Sequence, residues 1–275
     1  MHMIFLGIDV STNRQPFTFV ALEGERRLLA IGEGELLEVL AFAAGQTLAI
    51  AAISAPGRPN QGRMKDGRVR NELQPPPPPG KYTNLRRAEY ELERQGIPVP
   101  HTPSREENCP PWMRKAFVLY RNLEAIGYCQ HPSEEPRQWL ETLSEAGFIS
   151  LLGQPLLPAA TLEGRLQRQL ILYEQDLPVS DPMRFFEEVT RFRLLHGNLP
   201  SGNILTAPEL SAMMAAFTAW LAANHPERVS RYGDPLEGEV FLPARIFPEK
   251  KISQPESPFQ NKAYPLPLID EGVER

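Results

Sequence analysis

The chain has 275 residues, of which 41% are hydrophobic, so it can bury a sizeable core as one large domain or as one domain with an elaborate second half. Its formal net charge of −5 gives no global basic footprint of the kind that nucleic-acid-binding proteins usually carry. Two cysteines, Cys109 and Cys129, are too few for a disulfide framework and lack the paired spacing of a zinc site. We find no run of roughly 18 apolar residues and no signal-peptide core, so we expect a cytoplasmic protein that does not enter a membrane.

The beginning of the sequence predicts a three-stranded antiparallel meander followed by a helix and a buried strand, in the order β-β-β-α-β. The predicted strands are residues 3–12, 17–22, 27–32 and 47–53, and the predicted helix is 34–44. The first strand is apolar and ends by placing one carboxylate, Asp9, at its C-terminal edge, where a metal or a phosphate can be held. A meander with one acid on its first strand suggests a ribonuclease-H-like sheet, in which parallel strands extend the meander.

The later part of the chain is mostly helical by its apolar periodicity, apart from a long loop and two short strands. The loop, residues 54–81, is Gly-rich and basic and ends in Pro75–Pro79, a run that predicts extended polyproline. Helices are predicted at 82–95, 112–126, 133–146, 162–174, 182–195 and 208–223, and strands at 127–131 and 239–243. The last helix is apolar on nearly every side, so we expect it to be buried. We expect a single domain over residues 1–245 and a weakly ordered tail over 246–275.

A local excess of positive charge lies between Arg58 and Arg87. This stretch holds eight basic residues and two acids, a net charge of +6, which leaves −11 for the rest of the chain. The basic residues are Arg58, Arg63, Lys65, Arg68, Arg70, Lys81, Arg86 and Arg87. The excess favours a polyanion as the partner, although a loop of solvated surface charges has the same composition. The proline run also fits, less closely, a ligand for an aromatic-lined groove on another protein.

Several short motifs occur along the chain in a particular order. They are Gly7-Ile8-Asp9, Ile53-Ser54-Ala55-Pro56, Arg86-Arg87-Ala88-Glu89, His131-Pro132, the helix 209–219, and the closing segment 233–238 with Leu242-Pro243. This order resembles domain-of-unknown-function family 429, a family of predicted nucleases with a ribonuclease-H-like fold. The resemblance spans residues 4–243, and the order of the motifs carries it.

The resemblance implies a cluster of carboxylates at one edge of the sheet that holds two divalent metal ions, Mg²⁺ or Mn²⁺. Such ions activate a water and stabilise the leaving oxygen of a phosphodiester. This sequence departs from the family pattern at three of four acidic positions, where it has Ser54, Cys129 and Ser211, and it keeps Asp9. Because serine and cysteine remove a negative charge and a strong oxygen ligand, we expect the metal to be held weakly or lost. Asp9 also has a simpler alternative role, as the cap of the turn after its strand.

We therefore rank first a degenerate member of this family that binds DNA, RNA or a phosphorylated partner through its cations. The substrate-binding candidates are Arg58, Arg63, Lys65, Arg68, Arg86, Arg165 and Arg168. Arg165 and Arg168 lie three apart on one helix face, which suits both a phosphate and an ion pair with Glu163 or Glu174.

The runner-up is an active nuclease that cleaves phosphodiesters with divalent metal. Its catalytic residues are Asp9, which also binds the metal, with Glu209 and Asp234 as substitute ligands. A third class, the sugar kinases and actin-like ATPases, shares the opening Gly7-Ile8-Asp9-Val10-Ser11-Thr12. Those proteins carry a second copy of the fold and a second Gly-rich phosphate loop, and these 275 residues contain neither pattern, so we disfavour this class.

Overall fold

A computed structural model describes residues 3–10 and 16–244 of the chain, and its strands form one mixed sheet. The strands are β1 (Ile4–Asp9), β2 (Phe17–Leu22), β3 (Leu28–Gly34), β4 (Ala49–Ser54), β5 (Cys129–Gln130), β6 (Arg137–Thr142), β7 (Val229–Asp234) and β8 (Gly238–Pro243). Their order across the sheet is β3-β2-β1-β4-β6-β8-β7, with β5 added beside β6. The meander β1–β2–β3 is antiparallel, β1, β4, β6 and β8 run parallel, and β7 is antiparallel to β8. The predicted α/β class with a mixed sheet is confirmed.

Helices cover both faces of this sheet. They are α1 (Leu36–Ala44), α2 (Gly67–Glu72), α3 (Arg87–Arg94), α4 (Pro111–Ala125), α5 (Ser144–Leu152), α6 (Leu162–Tyr173), α7 (Arg184–Glu188), α8 (Arg191–Leu195) and α9 (Ala207–Asn224). On one face α9 lies against β1, β2 and β4, and on the other α1 and α4 complete a second apolar layer. Met1–Arg245 forms one compact unit. The predicted tail, residues 246–275, lies outside the described residues.

The helix α9 forms the centre of one apolar layer, as its sequence predicts. Nearly every side chain from Leu210 to Ala222 is buried. The helix crosses β1 at Gly7, where a Cβ atom would lie 1.9 Å from the carbonyl oxygen of Ala212, so only glycine allows the two backbones to come this close. By length and composition Ser201–Asn224 is apolar enough to cross a membrane, and 67% of its most apolar stretch is buried inside the fold, as in a core helix of a globular protein.

The single helix predicted over residues 133–146 is wrong. This part of the chain forms β6 and then α5, and β6 lies between β4 and β8. The prediction fails because β6 carries two polar side chains, Gln138 and Glu141, that are 8% and 2% exposed, so the segment lacks the apolar run of a buried strand. Both side chains find internal partners, since Gln138 bonds to His131 and Glu141 to Arg86.

Two smaller differences also concern the second half of the chain. The helix predicted over 182–195 is divided into α7 and α8, because the Thr190 side chain caps the start of α8. The strand β7 is missing from the prediction because Val229–Asp234 has no alternation of apolar and polar residues.

The basic loop contains more structure than its composition predicts. It includes a turn of 3-10 helix at Arg63–Lys65 and the helix α2. The guanidinium of Arg70, which is 8% exposed, collects four backbone carbonyls. These belong to Met64, Pro77, Pro78 and Lys81. One buried arginine therefore folds the proline run back against α2, and Pro77 is buried in the process.

Candidate functional site

The carboxyl ends of β1, β4 and β6 lie side by side, and each ends in a polar residue. In the register of the sheet Asp9 is opposite Ser54, and Ser54 is opposite Thr142. Because the strands are parallel and alternate residues share a face, these side chains lie on the α9 side of the sheet. Asp9 is 6% exposed. The carboxylate predicted at this edge is therefore a largely buried one.

Three linked serines lie at Asp9, and we call Ser54, Ser144 and Ser211 the serine network. The Ser211 hydroxyl, from α9, donates to Oδ1 of Asp9 at 2.5 Å and lies 3.5 Å from the Ser54 hydroxyl. The backbone N–H of Ser144, at the start of α5, donates to the Ser54 hydroxyl at 3.0 Å. Its own hydroxyl donates to the Ser211 carbonyl at 2.7 Å. Hydroxyl groups thus stand beside Asp9 where the family resemblance implies carboxylates.

Cys129 does not belong to this edge. It lies on β5 and pairs with Gln138, four residues before the end of β6 at Thr142, a separation of about 13 Å along the strand. At this edge of the sheet, the residues next to Ser54 are Thr142, at the end of β6, and Ser144, at the start of α5. Sequence reasoning missed it because it placed a helix over β6.

The donor set at Asp9 does not suit a divalent metal. Mg²⁺ and Mn²⁺ favour several carboxylate oxygens, whereas the neighbours described above are hydroxyls, and Oδ1 of Asp9 already accepts from Ser211. In the part of the chain that the structure describes, no group of three or more His, Cys, Asp or Glu side chains is placed to hold a metal ion. The charge of Lys115 also interacts with that of Asp9. Burial lowers the pKa of Lys115, and the negative charges of Glu35 and Asp9 oppose that decrease.

Glu209 is a helix cap and does not face Asp9. Its carboxylate accepts the backbone N–H and the hydroxyl of Thr206 at 2.7 and 2.8 Å, which completes a capping box at the start of α9. It precedes Ser211 by two residues, which is about 200° around a helix. Because Ser211 faces Asp9, Glu209 faces away, and the prediction that it substitutes for a lost metal ligand is wrong.

Asp234 is far from Asp9. It ends β7, four strands away from β1, a distance of about 19 Å at roughly 4.8 Å per strand. Its Oδ2 accepts from Arg63 at 2.9 and 3.1 Å, and its Oδ1 accepts the Leu236 N–H at 2.8 Å. Partial burial raises the pKa of Asp234, but these two donors outweigh it and hold the pKa below its usual value. Two residues predicted for catalysis and for substrate binding, Asp234 and Arg63, therefore neutralise each other.

Half of the basic segment helps to build the fold. Arg86 is 1% exposed and donates to Glu141 at 2.6 and 3.0 Å, so it is not the substrate-binding residue that we predicted. Three more cations have partners within the protein: Arg63 on Asp234, Arg70 on the proline run, and Arg87 on Glu72 and Glu91. The remaining four are Lys65, Arg68 and Lys81, which are exposed, and Arg58, which is half-buried; over the described residues none of them forms an ion pair.

Arg168 is also internal. It is 2% exposed, it donates to both carboxylate oxygens of Glu145 at 3.0 and 2.6 Å, and its Nη1 donates to the carbonyls of Leu157 and Gly164. These bonds correct the prediction that it grips a phosphate together with Arg165. Arg165 itself is half-buried.

Three buried acids that sequence reasoning missed tie the loops together. Glu89, Glu141 and Glu237 are at most 3% exposed, and each accepts backbone N–H groups. The donors are Gly57 for Glu141, Thr102 and Arg86 for Glu89, and Gln61 and Arg87 for Glu237. Burial raises the pKa of Glu89. The available sequence signal was the spacing of Arg86 and Glu89, which places an acid at the third position of α3, where it caps the helix start.

A comparison of the chain with protein-family models, with curated proteins and with solved structures found no match. The class of the protein is therefore described from its own fold and site. It is an α/β protein whose mixed sheet holds the buried carboxylate of Asp9 beside a network of serines.

Proposed function

We propose that this chain is a ribonuclease-H-like protein that has lost the nuclease metal centre and binds the phosphates of DNA or RNA. The observation that carries the proposal is the neighbourhood of Asp9, where Ser211 and Ser54 replace the carboxylates that a two-metal mechanism requires. The antiparallel meander, extended by parallel strands from the strand that carries Asp9, supports the ribonuclease-H-like fold. Loss of the metal ligands removes hydrolysis by that route but leaves phosphate recognition by cations intact.

The cations that remain exposed support binding. Lys65, Arg68 and Lys81 lie within 17 residues of one another on a segment that Arg70 holds folded. Of the two acids on this segment, Glu72 pairs with Arg87 and Asp66 caps α2 through the Arg68 N–H, so the three exposed cations still outnumber the acid that has no cation partner. Because the backbone that carries these cations is already folded, binding a phosphate costs little backbone entropy.

The binding test is fluorescence anisotropy with single- and double-stranded DNA and RNA oligonucleotides over a series of salt concentrations. Affinity is expected to fall as salt rises, because each phosphate contact releases counterions. The triple variant Lys65→Gln, Arg68→Gln and Lys81→Gln is expected to reduce the salt slope by about 2–3. A matched control, Arg114→Gln with Arg184→Gln and Arg191→Gln, removes the same charge from exposed cations elsewhere. Undetectable binding, or equal loss in the control, would refute the proposal.

The second test separates binding from catalysis. The same oligonucleotides are incubated with the protein and with its Asp9→Asn variant, first with Mg²⁺ and then with Mn²⁺. We expect no cleavage by either. Metal-dependent cleavage that the variant lacks would overturn the proposed loss of the metal centre.

A further inference from the structure

A pocket of about 360 Å³, lined mainly by residues of polar type, includes Lys65 of the basic segment. Its walls come from three stretches of chain: the residues around Lys65, the turn at Thr83 and Asn84, and the loop from His101 to Asn108. A volume of this size falls in the range of sites for small ligands. Pro103 is the one apolar residue among the nine lining residues, and the other eight carry a side-chain hydrogen-bonding group.

Asn60 holds the three walls together. It is 4% exposed, and its side chain donates to the carbonyl of Asn84 at 2.7 Å and accepts the N–H of Gly62 at 2.6 Å. Its backbone N–H donates to the carbonyl of Pro103 at 3.1 Å. The third wall is fixed further by the Thr102 N–H, which donates to the buried Glu89 at 2.8 Å. The shape of the pocket is therefore built into the fold before any ligand arrives.

Most side chains that line this pocket can donate a hydrogen bond but have no hydrogen-bond partner within the described part of the protein. Over the described residues, five lining side chains make no hydrogen bond or ion pair with the protein. They are Lys65, Thr83, Asn84, Ser104 and Asn108. Lysine, amide and hydroxyl groups donate to oxygen acceptors, and lysine adds a full positive charge.

The charge of the lining has one sign. No carboxylate belongs to it. Two acids on the same loop, Glu106 and Glu107, lie outside the lining and pair with Arg121 and Arg105, and Glu93 on α3 pairs with His101. A set of convergent donors with a cation and without an acid favours an anion whose several oxygens point in different directions. A phosphate monoester, which carries three terminal oxygens and nearly two negative charges at neutral pH, has this form.

We propose that this pocket binds a phosphate monoester, as the terminal phosphate of a nucleic-acid strand or of a free nucleotide. The inference rests on the proposed function for the link to nucleic acid, and on the lining itself for the phosphate. Lys65 supplies the charge, while Asn84, Asn108 and the hydroxyls of Thr83 and Ser104 supply donors. Internal phosphodiesters, which have two free oxygens and one charge, bind Arg68 and Lys81 outside the pocket.

Isothermal titration calorimetry tests the pocket with inorganic phosphate and with a nucleoside monophosphate. The informative variant is Asn108→Asp, which keeps the size of an exposed side chain and adds a negative charge to the lining. Its matched control is Asn198→Asp, an exposed asparagine outside the pocket. We expect binding to weaken about tenfold or more in Asn108→Asp and to stay unchanged in the control. No binding of either probe up to about 10 mM, or equal binding by both variants, would overturn the proposal.

Oligonucleotides separate this proposal from the broader one. A 5′-hydroxyl oligonucleotide reports only on the exposed cations, so its failure to bind counts against the proposed function and leaves the phosphate titration as an independent result. A tenfold gain on adding a 5′-phosphate, lost in Asn108→Asp, identifies the strand end as the source of the monoester. Monophosphate binding without that gain identifies a free nucleotide instead.

Discussion

The buried ion pair between Arg86 and Glu141 gives a sharp prediction for stability. Both side chains are at most 2% exposed, and the pair joins the start of α3 to the central strand β6. Burial works against the charge of Arg86, but Glu141 outweighs it and holds the pKa of the guanidinium above its ordinary value. The Arg86 guanidinium therefore stays charged, and removing one partner of the pair leaves the other buried without its main partner.

The substitution Arg86→Met keeps the apolar volume and removes two bonds to Glu141 and one to the carbonyl of Glu237. Glu141 then retains the Gly57 N–H at 3.0 Å. Loss of one member of a buried pair costs about 3–5 kcal/mol. Urea unfolding followed by tryptophan fluorescence is expected to show a fall in midpoint of about 1–2 M, for an m-value near 3 kcal/mol/M.

Two controls show whether the cost comes from the orphaned charge. Replacing both partners, Arg86→Met with Glu141→Leu, removes both charges, so the double variant is expected to be more stable than Arg86→Met alone. The surface cation Arg87, which pairs with Glu72 and Glu91, is expected to cost about 0–1 kcal/mol when changed to Met. A cost of Arg86→Met no greater than that of Arg87→Met, or additive effects in the double variant, would refute the reasoning.

Three further outcomes are expected. Gly7→Ala places a Cβ within 1.9 Å of the Ala212 carbonyl, so it should destabilise the protein by about 3 kcal/mol or more in urea unfolding; a smaller loss would mean that α9 can shift. Burial lowers the pKa of His131, so the folded protein binds a proton at this side chain less readily than the unfolded chain does. The contribution of His131 to stability is therefore full above the ordinary pKa of 6.5 and decreases as the pH falls below it. In unfolding measurements over a pH series, His131→Gln should make this decrease smaller. Ser211→Asp places a second carboxylate beside Asp9, so the melting temperature of this variant should fall and should recover when Mg²⁺ or Mn²⁺ is added. An equal response of the unsubstituted protein to these ions would contradict the poor metal fit described above.

Apolar pattern predicted the parts of the fold that depend on apolar burial. The strands of the meander, β4 and the buried helix α9 lie close to their predicted positions because their side chains enter one of two apolar layers. The pattern failed at β6, where Glu141 and Gln138 enter the interior with polar partners that come from distant parts of the chain. A buried polar residue carries no local mark of its burial, because its partner decides whether burial is tolerated.

The same limit governs the candidate site. Sequence order identified Asp9, Ser54 and Ser211, which the structure brings together, because two of them end adjacent parallel strands and the third lies on the helix that crosses them. The sequence did not show which acids and basic residues already had partners within the fold. The formal charge of +6 over the basic segment includes cations that face inward as well as cations that face solvent.

Over residues 3–10 and 16–244, the buried acids described above have their partners away from Asp9. The acids Glu89, Glu141, Glu237 and Asp234 all serve the other side or the far edge of the sheet, where they bind loop N–H groups and arginines. Removing one of these acids would leave its donors buried and unpaired, at a cost of about 1–3 kcal/mol for each such group. Near Asp9 the bonds come from serines instead: the Ser211 hydroxyl donates to Oδ1 of Asp9, and the Ser144 hydroxyl donates to the Ser211 carbonyl.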